Sequence, residues 1–296
     1  MRNPAPSSRS RRRRAGPGPA VVIAAVIVIS VVVLGWVVLR QNNVVAPIGA
    51  QERCVATSAD HTVVVDLDQA HYASIIVGIS VGRGLPARAA SIALATAYQE
   101  SGLRNLDHGD RDSVGLFQQR PSQGWGSEKQ LMDPFYAAGR FYDALVKVNR
   151  WETDDINDVA QKVQRSGYPE AYRDHEADGR TLASVLTGHS APGLSCLERR
   201  GNAGDAKGLR AMITEAFGSV RPARDGATVR ITARSGTLAW AYGQFAVANA
   251  AAYGVSSVRV AGAVWTSDQG ALATWSPTDV APSPTRDRSV LITVRG

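Results

Sequence analysis

The chain has 296 residues and a formal net charge of +7 at pH 7, long enough for two ordinary domains and a tail. The charge is local: Arg2, Arg9, Arg11, Arg12, Arg13, Arg14 and Arg40 supply all of it, no acid precedes Glu52, and the remaining 26 basic side chains face 26 acidic ones. A body without net charge argues against a general phosphate-binding surface, so no nucleic-acid partner is expected.

In chain order, residues 1–18 read as a basic cytoplasmic tail with nothing apolar to bury. Residues 19–40 follow as an uncharged apolar run, PAVVIAAVIVISVVVLGWVVL, closed by Arg40. Its length suits a hydrocarbon core crossed as a helix, and the preceding arginines hold the N-terminus in the cytoplasm. This predicts a single-pass anchor in the lipid bilayer with everything after about residue 41 extracytoplasmic. A cleaved signal peptide, with Ala46–Ala50 as its site, is the rival reading.

A spacer (41–53) leads to a block at 54–198 that reads as mainly α. Asp68 is placed to cap a helix reaching Val81, and Pro86 to open one that runs through Ser101 and stops at Gly102. Asp133-Pro134 starts another, whose Phe135, Ala138, Tyr142, Leu145 and Val148 make one apolar stripe. Ile156, Val159, Ala160 and Val163 mark a further helix, and Glu176 to Leu186 the last. Cys54 and Cys196 bracket this block; outside the cytoplasm they are expected to pair, with two free thiols as the alternative.

A polar, glycine-rich linker, Arg199 to Asp205, leads into a block at about 205–296. There, helices are expected around Leu209–Phe217 and along Leu238, Ala241, Phe245, Ala248 and Ala252. Strands are expected where Val229-Ile231-Ala233, Val258-Val260 and Val290-Ile292-Val294 alternate. The expected fold class is therefore a mainly α domain after one transmembrane helix, followed by a small two-layer α/β domain.

The chemistry concentrates at Glu100. It follows Ala89, Ala93 and Ala97 at spacings of eleven, seven and three, so it shares their small apolar face on the helix's last turn. Burial there and the negative end of the helix dipole both raise a carboxyl pKa. A carboxylic acid still protonated near neutral pH can protonate a glycosidic oxygen. On its own, the residue reads better as an ordinary solvent-facing helix-end glutamate.

The downstream motifs select between these. Glu100-Ser101, then Gly115-Leu116-Phe117-Gln118, Pro121, and an Asp133-Pro134 helix carrying Gly139 and Tyr142 resemble, in order, the SLT-type lytic transglycosylases of the lysozyme-like superfamily. The run LRNLDHGDRDSVGLFQQRPSQGWG is similar to exported actinobacterial cell-wall proteins. The resemblance covers about residues 66–188. It implies a lysozyme-like fold, Glu100 as catalytic acid and base, and a cleft in which Ser101, Phe117, Gln118, Gln119, Arg120, Trp125 and Tyr168 bind peptidoglycan glycan strands. The family's late Ala-Tyr-Asn-Ala-Gly segment, whose Tyr touches the acid, falls on AQKVQRSGYPEAY, with Gln164 and Ser166 at the Tyr and Gly positions and Tyr168 as a substitute.

Asp107, Asp110 and Asp112 are expected to cap turns and pair with Arg104 or Arg111 rather than serve as a second catalytic carboxylate. A single acid favours the route in which the MurNAc 6-hydroxyl attacks internally over hydrolysis. No metal or cofactor is expected, since His61, His71, His108, His175 and His189 lack ligand spacing and no glycine-rich phosphate loop occurs. The last block faintly resembles a small domain of cell-wall enzymes related to D-Ala-D-Ala peptidases. Its RSVLITV strand lacks the zinc-binding histidines, which leaves docking of wall or of an envelope protein, or a structural role. The alternative to an enzyme is a tethered glycan-binding or scaffold protein that grips without cutting.

Overall fold

A computed structural model describes residues 51–59, 61–165, 170–278 and 288–296. The expected tail and anchor (1–40) lie outside these residues; among the described residues no helix is long and apolar enough to cross a membrane. Residues 52–296 form one compact unit.

That unit opens with a hairpin, not with a helix. Strand β1 (Arg53–Ser58) pairs antiparallel with β2 (His61–Val65), and β3 (Leu194–Leu197) returns to the other side of β1, giving the order β2-β1-β3. Cys54 and Cys196 sit directly opposite each other in the β1–β3 register and form a disulfide, their Cα atoms 4.0 Å apart. The expected pairing is thus observed, but the mainly α description of this block is not. Its strand signal was obscured because the inward positions of β1 are the small Cys54 and Ala56, while in β2 Val63 and Val65 point inward and Val64 between them points to solvent. Three consecutive valines conceal an alternation that is present in space.

Helix α1 (Leu67–Gly82) starts one residue after β2. Its cap is Asp66, not Asp68: Asp66 Oδ1 accepts from Gln69 N at 2.8 Å while Gln69 Oε1 accepts from Asp66 N at 2.9 Å. Two orphan donors are satisfied reciprocally. The Gln69 amide also donates to Gly102 O at 2.8 Å, tying the start of α1 to the end of α2 (Ala87–Ser101). Helix α2 begins after Pro86 and stops where Gly102 turns left-handed at φ 64°, as the sequence predicts.

A short α3 (Glu128–Leu131) precedes α4 (Pro134–Leu145), which Asp133 caps through Phe135 N at 2.9 Å. Then come α5 (Ile156–Gln164) and α6 (Glu176–Leu186). The buried alanines of α2 admit α6 at close range. A Cβ placed on Gly179 would lie 2.9 Å from Ser91 O, so this glycine is what lets the two helices meet.

The C-terminal block holds α7 (Ala206–Phe217), β4 (Ala223–Asp225), β5 (Thr228–Thr232), α8 (Gly236–Ala248), α9 (Ala250–Tyr253), β6 (Val255–Val260), β7 (Ala263–Thr266), β8 (Trp275–Pro277) and β9 (Ser289–Val294). The strands make one antiparallel sheet ordered β4-β5-β9-β6-β7-β8. The three alternating runs in the sequence are its centre, β5, β6 and β9. The edge strands β4 and β8, and β7 beside β8, are three or four residues long and leave too short a pattern to read.

The overall description is therefore corrected from a mainly α block followed by a small α/β block to an α+β unit with two antiparallel sheets. The core is continuous across it. A Cβ on Gly78 of α1 would approach Ala216 of α7 to 2.9 Å, and one on Gly82 would approach the Phe217 backbone to 2.8 Å. Asn249 joins the same parts by polar contacts, donating to Ser74 Oγ at 2.9 Å and contacting His71 Nδ1 at 2.6 Å through its carbonyl oxygen.

Candidate active site

Glu100 stands on the last turn of α2, above Ala89, Ala93 and Ala97, all fully buried. Its own side chain is half-buried, and Oε1 accepts a hydrogen bond from the Tyr172 hydroxyl at 2.7 Å. Burial pushes the Glu100 pKa above its ordinary value; the hydrogen bonds from Tyr172 and Gln164 pull in the opposite direction without cancelling it. No neighbouring carboxylate is among the causes of the shift. The group is thus a solitary acid whose proton affinity is set by desolvation and tempered by two donors.

Tyr172 is the residue the sequence reading missed. It precedes the short 3-10 turn Arg173–His175, is fully buried, and makes the contact with Glu100 for which the sequence offered Tyr168 in place of the Gln164 position. Tyr168 lies outside the described residues. The signal was available as a second tyrosine four residues further on, but only the packing of 170–176 onto α2 shows which tyrosine reaches the acid. Gln164, at the end of α5, joins Glu100 as a hydrogen-bond partner and donates to Phe117 O at 2.7 Å.

Ser101 is buried, and its hydroxyl is engaged within the fold. Its hydroxyl lies 2.7 Å from Leu116 O and 3.0 Å from Ala97 O as donor, and accepts from Arg104 N at 3.2 Å. It therefore fastens the Gly115–Gln118 turn beneath the end of α2. Gly115 is at φ 80°, and a Cβ there would stand 2.4 Å from Leu131 O, so only glycine fits. Phe117 is fully buried and stacks on Phe141 with centroids 4.6 Å apart, which makes it a core residue that presents its carbonyl, not its ring, to the site.

Gln118 and Gln119 diverge. Gln118, at φ 46°, is partly exposed and donates within its loop to Gly115 O at 3.2 Å and His108 O at 3.3 Å. Gln119 is 2 % exposed; its amide nitrogen reaches Ala137 O at 3.4 Å, and its Oε1 has no hydrogen-bond partner among the described residues.

Arg120 pairs with Asp112 at 2.7 Å, and Asp112 also accepts from Ser122 N at 2.7 Å, which holds this carboxyl far below the usual range. Of the expected pairings in the LDHGDRDS loop, Arg111 with Asp110 is present at 3.9 Å, whereas Arg104 pairs with Asp66 and Asp107 with His108. The reason is reach: the loop turns outward, while Arg104 faces the start of α1.

Trp125 is partly buried. Its backbone oxygen accepts from Tyr136 Oη at 3.2 Å and Arg140 Nε at 3.3 Å, which fixes the loop, while the residue lines a cleft of about 670 Å³ together with Gln123, Arg140, Lys147, Gln164 and Arg165. Gln164 borders this cleft and also bonds Glu100, so one side chain links the two. Of the expected residues that are described, only Trp125 lines this cleft; Ser101 and Phe117 are buried beside Glu100 as structural supports, and Gln118, Gln119 and Arg120 belong to the adjoining loop. Among the described residues no group of three or more His, Cys, Asp or Glu side chains could hold a metal ion. No family model matches the chain, and no curated protein matches it.

Proposed function

We propose that this protein cleaves peptidoglycan glycan strands at the MurNAc–GlcNAc bond, with Glu100 as the only acid and base, by the non-hydrolytic route of the lytic transglycosylases. The observation that carries the reading is the half-buried Glu100 carboxyl, raised in pKa by burial and held by the Tyr172 hydroxyl at 2.7 Å. Protonated, Glu100 gives its proton to the glycosidic oxygen as the C1–O bond breaks. The resulting carboxylate, steadied by Tyr172 and Gln164, accepts the proton of the MurNAc 6-hydroxyl as that oxygen bonds to C1, and a 1,6-anhydro ring closes.

This route uses one carboxyl group twice and needs no activated water. It suits a site where desolvation and two donors, rather than a second carboxylate, govern the acid. The cleft beside Trp125 offers an aromatic face for a sugar ring. The disulfide supports a location outside the reducing cytoplasm, where this substrate lies.

The test is digestion of purified peptidoglycan followed by mass spectrometry of the released fragments. Anhydro-muropeptides that vanish with Glu100→Gln are expected. Reducing-end products would replace the internal attack with hydrolysis. Binding without release would make the protein a glycan-gripping scaffold.

A further inference from the structure

The six-stranded sheet carries a second concave site with a different chemistry. Although the body as a whole is balanced, its charge is not evenly placed: residues 205–296 hold ten basic and six acidic side chains, and residues 41–204 hold the compensating acidic excess. Where β4 pairs with β5, a pocket of about 370 Å³ is lined by Ser219, Arg221, Arg230, Thr232, Arg234 and Tyr242, and no carboxylate lines it.

The strands explain the opening. Arg230 and Thr232 are the exposed alternates of buried Val229 and Ile231, and the residue opposite Arg230 on β4 is Ala223, too short to fill the space beside it. Arg221 is held in place by Nη1, which donates to Gly218 O at 2.7 Å and Val220 O at 3.0 Å. None of the three arginines has a carboxylate partner among the described residues.

Tyr242 is the second observation. It is 6 % exposed, its ring set edge-on against Phe217 at 4.7 Å, yet its hydroxyl makes no hydrogen bond with any described residue and the side chain lines this pocket. The phenol hydroxyl opens into the pocket with its donor unused by the fold, free to meet a ligand there. Three guanidinium groups gathered without an acid repel one another until an anion arrives.

We propose that this pocket binds a phosphoryl group borne on a larger molecule. Its lining offers donors in excess: three guanidinium forks, the Tyr242 phenol and the Ser219 and Thr232 hydroxyls. A tetrahedral anion with three or four oxygens uses such a set, where a carboxylate with two oxygens leaves much of it unmet. The volume lies within the usual range for small-molecule sites and exceeds what a bare phosphate fills. A phosphodiester polymer and a phospholipid headgroup share this chemistry.

The experiment is calorimetric titration of the purified full-length chain with inorganic phosphate, glycerol phosphate and acetate at matched ionic strength. Both phosphates bind saturably and acetate does not. Arg230→Ala and Arg234→Ala each weaken binding about tenfold or more, and Arg230→Lys recovers part of the loss. Tyr242→Phe, which keeps the buried ring, weakens binding several-fold without moving the thermal midpoint of the free protein by more than a degree or two. Co-sedimentation with phosphatidylglycerol vesicles, against phosphatidylcholine vesicles and a soluble glycerol-phosphate oligomer, assigns the phosphoryl group to a lipid or to a polymer. An equal response to acetate and phosphate, or unchanged phosphate affinity in the Arg230→Ala/Arg234→Ala double variant, overturns the proposal.

Discussion

The Tyr172–Glu100 bond makes a prediction whose two readouts have opposite origins. Tyr172→Phe removes one oxygen from a fully buried side chain and leaves the ring in place. The bond it deletes is 2.7 Å long and ends on a carboxyl group whose pKa it lowers, against the larger effect of burial. A hydrogen bond to a charged group contributes about 1.5–3 kcal/mol. At 1.4 kcal/mol per factor of ten, its loss disfavours the ionised form by roughly tenfold to a hundredfold.

Glu100 should therefore hold its proton to higher pH in the variant. If Glu100 is the acid, the alkaline limb of the pH–rate profile moves upward, while the maximal rate falls because the carboxyl loses the contact that aims it. Stability follows the same linkage. A carboxyl whose folded pKa is raised binds more protons in the native than in the unfolded state between the two values. Its contribution is thus fully present below the unfolded value and lost as pH rises through the folded one. Tyr172→Phe steepens that loss, so urea unfolding should separate the variant from the wild type more at pH 8 than at pH 4. Superimposable pH–rate profiles and a pH-independent stability difference would refute the claim that this phenol tunes the acid.

Three further outcomes are expected. Glu100→Gln keeps the side chain's shape and removes its desolvated charge, so it should unfold at higher urea than the wild type at pH 8, with the difference shrinking toward pH 4; on the proposed function it also loses glycan cleavage. Replacing Cys54 and Cys196 by serine opens a loop spanning a separation of 142 residues; on the chain-entropy estimate this costs about 5 kcal/mol, seen as a matching drop in urea midpoint that reductant reproduces in the wild type. Gly115→Ala forces a Cβ against Leu131 O at a left-handed φ; about 1–3 kcal/mol of strain is expected, and glycan cleavage should fall with it because Ser101 holds this turn against the helix that carries Glu100.

How much of this was legible in one dimension depends on the range of the interaction that decides each feature. Helix α2 and its end at Gly102, the Asp133-Pro134 start of α4, and the apolar stripes of α5 and α6 are local in origin. A cap, a proline, a glycine able to turn left-handed and a period of 3.6 all act within a few residues, and the sequence was sufficient for them. Glu100's place on a small apolar face follows from the same period.

The β1–β2 hairpin and the pairing of β1 with β3 across 140 residues depend instead on partners far away in the chain, and strands of four to six residues carry too little alternation to announce them. The acid's partner is of the same kind. The choice among Gln164, Tyr168 and Tyr172 is made by how residues 170–176 fold back onto α2, 72 positions beyond Glu100, so that the fully buried Tyr172 has its hydroxyl where the carboxyl group is. Sequence alone determined that a carboxylic acid sits at the end of an alanine-faced helix. Tertiary packing decided which phenol meets it, because a hydrogen bond depends on distance in space and the chain's order does not encode that distance.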